Sequence, residues 1–220
     1  MDRSQQPVRV WSYASLLIVL MLIPSAGCHR LLATVFYAAG AGDVPAECTE
    51  LVGKRVVVVC RPPSSYEFSH ASAPRDLSRQ VGRLLDTNVK DIDVVNPADV
   101  DNWFDASDGE DFKELAQAVD ADMVVHIELA DFDLYKGQTL YQGHAEVQLS
   151  VYDMTQGGEM VWEKPLGEVL YPVNSGVPVH ETTLDRFHRK YVTVLSEQIA
   201  RHFYAHDPHL DFAIDATAAR

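Results

Sequence analysis

The chain reads as an α/β domain: a two-layer sandwich whose mixed sheet of about five strands carries three main helices, in the order β-α-β-α-β-β-β-α. Three observations predict it. The β-branched run Val56-Val57-Val58-Val59 lies between Gly53 and Pro62-Pro63, and a continuous apolar run of that length is a strand buried on both faces. Residues 142–152 alternate strictly, with Ala145, Val147, Leu149 and Val151 on one side and His144, Glu146, Gln148 and Ser150 on the other, the pattern of a half-buried strand. Leu184, Phe187, Tyr191, Leu195, Ile199 and Phe203 recur at helical spacing along one face of 183–204.

The elements follow in order. After the strand at 55–60, a polar loop at 61–72 leads to a helix over 74–88, with Leu77, Val81, Leu84 and Leu85 on its apolar side. Pro74 opens it, since a missing N–H is harmless in a first turn. Residues 92–95 form a short strand and 97–103 a helical turn. Ser107 or Asp108 caps the next helix, and Glu110 and Asp111 suit the positive end of its dipole. Phe112, Leu115, Ala116 and Val119 form its core face. In the strand 123–134, Val125, Ile127 and Leu129 share one face while His126 and Glu128 share the other. Phe132 and Leu134 fall on the polar side by simple alternation, which predicts a bulge near Ala130. Gly137 turns a hairpin into 142–152, and Gly157-Gly158 turns a second into 160–165. Pro165 cannot donate to a ladder, so that last strand belongs at an edge. The domain occupies 52–206, followed by a flexible tail at 207–220.

The start of the chain is of another kind. Arg3 and Arg9 precede an apolar run at 14–23, Pro24 breaks it, and small residues follow. This is the layout of a secretory signal over residues 1–27, with a membrane-proximal linker at 28–51. The run is half the ~20 residues a spanning helix needs, and burying Arg30 in a longer helix would cost about 2.5–3.5 kcal/mol. The sequence Ser25-Ala26-Gly27-Cys28 resembles the lipobox of bacterial lipoproteins. That resemblance implies cleavage before Cys28, diacylation of its thiol and attachment to a membrane. Each buried methylene of such chains contributes ~0.8 kcal/mol. By the family's sorting pattern, His29 after the cysteine implies the outer membrane, facing the periplasm. An uncleaved anchor and simple secretion are the competing readings.

The 220 residues carry 18 basic and 32 acidic side chains, a net charge of −14. Nucleic acid and anionic headgroups are repelled by such a surface, which disfavours both as direct partners. The element order resembles the envelope α/β domain of the TolB amino-terminal region and of the curli secretion lipoprotein CsgG. The resemblance covers roughly residues 52–205, through Ala121-Asp122-Met123-Val124-Val125, Val151-Tyr152-Asp153 and Val161-Trp162. Cys60-Arg61-Pro62-Pro63-Ser64-Ser65, Asp43-Val44-Pro45-Ala46 and Leu195-Ser196-Glu197-Gln198-Ile199-Ala200 also look like a set of uncharacterised bacterial lipoproteins.

Neither resemblance brings an activity. The chain has no GxSxG, HExxH, P-loop or GxGxxG. The reading is a non-enzymatic, lipid-anchored envelope protein that binds or helps assemble another envelope component, without a cofactor. Arg61, Tyr66, Phe68 and Tyr171 put arginine and aromatic side chains on loop backbone, as binding hot spots do. The alternative is a metal-dependent hydrolase. If 123–134 and 142–152 pair, His126, Glu128, His144 and Glu146 project from one sheet face, a donor set for a divalent ion or a polar patch for a partner. His202, His206 and His209 straddle a helix end, where histidines also complement the dipole without metal. Cys48 and Cys60 either form a disulfide or remain two separate buried thiols.

Overall fold

Strand β1 (Arg55–Arg61) organises the sheet, because its valines must be covered on both sides. In the computed structural model, which describes residues 42–62, 72–107 and 111–208, it pairs in parallel with β2 (Asp93–Val94) and β3 (Met123–Lys136). From β3 the chain continues as an antiparallel meander through β4 (Leu140–Asp153) and β5 (Glu159–Tyr171). The spatial order is β2-β1-β3-β4-β5, and a short β6 (Val177–Pro178) pairs with the start of β4. This is the mixed α/β sheet expected from the sequence.

One face packs on two long helices. Val56, Val58 and Cys60 of β1, with Met123, Val125, Ile127 and Leu129 of β3, meet α1 (Ala73–Asn88) and, further along, the closing helix (Leu184–Ala200), α4. Leu77, Val81 and Leu85 of α1 and Tyr191, Leu195 and Ile199 of α4 are fully buried at the spacing read from the sequence. The Thr183 side chain caps α4, accepting from Arg186 N at 3.3 Å.

The opposite face is covered only at one side. Val57, Val59 and Val124 form a second, smaller core with α2 (Pro97–Ala106) and α3 (Phe112–Ala118). The segment read as one helical turn followed by one helix is therefore a pair of short helices, placed there because β1 needs cover on its second side. Asn96 caps the first through Ala98 N at 2.9 Å, and Asp111 caps the second through Lys113 N at 2.8 Å. Beyond them, no other described helix covers this face of β3, β4 and β5.

The expected bulge is present. The β3–β4 register shifts between Ala130 and Asp133 and again before Tyr135, with Asp131 at φ 50°. The shift returns Phe132 and Leu134 to the buried side. β5 is the edge strand that Pro165 implies. Two further register shifts interrupt it, and Glu163, Lys164 and Glu168 line it, devices that blunt an edge against pairing with another chain. At the other end of β4, the Tyr191 ring lies on Gly143, and its hydroxyl donates to Val169 O at 2.8 Å.

Candidate functional site

The open sheet face carries the histidines and glutamates of the metal reading. Ladder pairing sets His126 opposite Ser150, Glu128 opposite Gln148, Ala130 opposite Glu146 and Asp133 opposite His144. Parity along the strands puts the four residues on one face, as the sequence implied. The register does not gather them. Six residues of β4 separate the partner of His126 from His144, roughly 20 Å at ~3.3 Å per residue. His144 is engaged locally instead, with Nε2 3.1 Å from Glu168 Oε1 and Nδ1 3.0 Å from the Asp131 carbonyl. Among the described residues, no group of three or more His, Cys, Asp or Glu side chains converges as a metal site would.

His126 sits at the boundary between the open face and the small core. Its ring lies 5.3 Å from Phe112 and 6.5 Å from Tyr152. Burial lowers its pKa, Glu128 opposes that shift, and the nearby positive charge of Arg61 adds to it. The histidine is thus held neutral at pH 7, a packed ring more than a ligand.

The four residues of the loop-surface reading separate in the structure. Arg61 closes β1 with its guanidinium carbon 3.9 Å above the Phe104 ring, a cation–π contact. Its Nε is buried with no hydrogen-bond partner among the described residues. Tyr171 is a correction. It is 2% exposed and stacks on Phe187, because its place opposite Gly143 in the ladder turns it toward the helices. Tyr66 and Phe68 lie outside the described residues, as do Cys28 and His209.

Cys48 and Cys60 are both buried free thiols in the structure. Burial pushes the pKa of both thiols up, that of Cys60 well above its ordinary range. Cys48 instead marks where the entry segment docks. Glu47 and Cys48 donate their amides to His202 O at 2.8 and 3.0 Å, and Val44 forms a bridge with His206. The Glu47 carboxylate lies 2.5 Å from Lys164 Nζ and 3.0 Å from His202 Nδ1. Lys164 holds its pKa down, and burial holds that of His202 down. The helix-end histidine is thus a clasp for the entry segment. No local pattern around Glu47 signals this, since its partners are 117 and 155 residues away.

No family model and no curated protein matches the chain. Among solved structures it is similar to the PelC dodecamer from Paraburkholderia phytofirmans, with 14% identity and a TM-score of 0.48 over 74% of this chain and 95% of that one. Lipoprotein GNA1162 from Neisseria meningitidis aligns at 14% identity and a TM-score of 0.40, covering 67% of this chain and 98% of that one. A minor lipoprotein from Acinetobacter baumannii aligns at 17% identity and 0.33, covering 67% and 90%. Likenesses of this strength carry no argument about function, and they do not by themselves show the resemblance to TolB and CsgG.

Proposed function

We propose that the chain is a lipid-anchored protein of the bacterial cell envelope, without catalytic activity, that binds another envelope component. One observation carries the reading: the basic start, short apolar run and small residues that lead into Cys28, ahead of a folded unit beginning at Val44. Cys28 takes the acyl chains, holding the domain on the periplasmic side of the outer membrane. Among the described residues, no helix is long and apolar enough to cross a membrane. The partner surface is centred on the end of β1. There Arg61 and Phe104 present a guanidinium–aromatic pair of the kind enriched at hot spots, and Tyr66 and Phe68 follow Arg61 in the sequence. The test is fractionation and crosslinking of the wild-type chain beside Cys28→Ala and Arg61→Ala. The proposal expects the wild-type chain in outer-membrane fractions with a crosslinked envelope protein. It expects Cys28→Ala to leave those fractions and Arg61→Ala to stay but lose the crosslink. A Cys28→Ala chain that fractionates like wild type contradicts the anchor, and an Arg61→Ala chain with an unchanged crosslink contradicts the surface.

A further inference from the structure

The outer surface of the helical layer holds a groove of about 520 Å³ between α1 and α4. The two helices run in the same direction. α1 leaves the end of β1 and finishes beside its start, where Gly53 N donates to Lys90 O at 3.3 Å. α4 begins where Phe187 stacks on Tyr171, late in β5, and leads on to Phe203 against Trp162, early in it. Through the β3–β4–β5 meander β5 runs parallel to β1, so both helices oppose the same strand direction.

Parallel helices sort the lining charges along the groove. Asp76 and Asp185 lie in the first turns of α1 and α4 and mark one end. Arg79 and Arg189 come about one turn further, and Arg83 a turn beyond that. At ~1.5 Å rise per residue, Asp185 and Arg189 are about 6 Å apart along the axis, and Asp76 and Arg83 about 10 Å. Arg79 is bonded to Asp101, outside the groove. Among the described residues, the Arg83 side chain is bonded to the neutral Gln80 side chain alone. Arg189, Asp76 and Asp185 form no ion pair among the described residues. Among the described residues, the groove therefore keeps negative charge without an ion-pair partner at one end and positive charge without one from its middle to the other end.

We propose that this groove binds a short peptide of two or three residues through its free ends, the ammonium at Asp76 and Asp185 and the carboxylate at Arg83 and Arg189. Extended residues span ~3.3–3.6 Å each, so two or three of them reach between the two charged ends. A guanidinium forks onto a carboxylate through paired N–H donors. The volume is within the range of small-ligand sites. Overall charge points the same way: a chain at −14 repels a simple anion but not a ligand without net charge. The inference does not depend on how or where the chain is anchored.

The test is calorimetric titration of the purified full chain with trialanine, N-acetyl-trialanine and trialanine amide. Trialanine should bind saturably, and each cap should weaken it about tenfold or more, the effect of losing a hydrogen bond to a charged group. Arg189→Gln should weaken trialanine but not the amide, and Asp185→Asn should weaken trialanine but not the acetylated form. Arg83→Gln, on the other helix, repeats the carboxylate test independently. Absence of saturable trialanine binding to the wild-type chain overturns the proposal. So does binding that ignores both caps, or displacement of the peptide by inorganic phosphate at equal concentration.

Discussion

Among the described glycines, Gly143 leaves the least room for a Cβ, and its replacement tests the packing of α4 on the sheet. A Cβ at this position would lie 2.4 Å from Tyr191 Cγ and Cδ2 and 2.6 Å from Cδ1. Backbone strain does not enter, because Gly143 is not in the left-handed region. The ring has nowhere to go. Tyr191 is 0% exposed, its ring centre is 5.4 Å from that of Phe132, and its hydroxyl is tied to Val169 O. Gly143→Ala should therefore cost about 1–3 kcal/mol for overpacking, with about 1–3 kcal/mol more if the buried hydroxyl loses its acceptor. Against a total stability of about 5–15 kcal/mol, that is a large fraction. With a urea dependence of roughly 1–3 kcal/mol per molar, the overpacking cost alone should lower the unfolding midpoint by roughly 0.3–3 M. In a Tyr191→Ala background, the ring is gone and the same glycine substitution should cost less than about 0.5 kcal/mol, a non-additivity of the kind contacting residues show. A Gly143→Ala protein with a wild-type midpoint, or one equally destabilised in both backgrounds, would refute the packing described.

Other outcomes follow from individual contacts. Cys48 and Cys60 should resist iodoacetamide at neutral pH in the folded protein and take one label each after unfolding, read by mass. Labelling of the native protein would contradict their burial. His126 and His202 have folded-state pKa values held below the ordinary value of ~6.5 by burial. The unfolded chain then binds more protons around pH 6, so stability is full above about pH 7 and falls as the pH descends through that range. His126→Gln should flatten part of the change in urea midpoint between pH 7.5 and 5.5, and an unchanged slope would show that His126 does not contribute. Glu47→Gln should change global stability by no more than ~1 kcal/mol, because Glu47 is exposed and so is its ion pair with Lys164. It should nevertheless speed hydrogen exchange at the amides of Glu47 and Cys48, and unchanged exchange there would contradict the clasp.

What was legible in the sequence is what short-range pattern determines. The unbroken valines of β1 announced a strand with two covered sides. Pro165 marked an edge, and the misplaced Phe132 and Leu134 marked a bulge. What escaped depends on register and on distant pairing. Alternation says which face His126 and His144 share, but only the ladder says that they are far apart along it. Tyr171 looked like a loop residue because Gly167 and Pro172 flank its stretch, while the partner opposite it, Gly143, decides that it points inward. The groove arginines lie on two helices about a hundred residues apart. Their common end becomes visible only once both helices are known to run against the same strand direction.

The central claim is that Cys28 carries the anchor, and intact mass of the protein extracted from membranes tests it most directly. A polypeptide beginning at Cys28 with added acyl chains is the predicted result. An unmodified chain beginning at Met1 would contradict the account and assign the membrane attachment to the apolar segment itself.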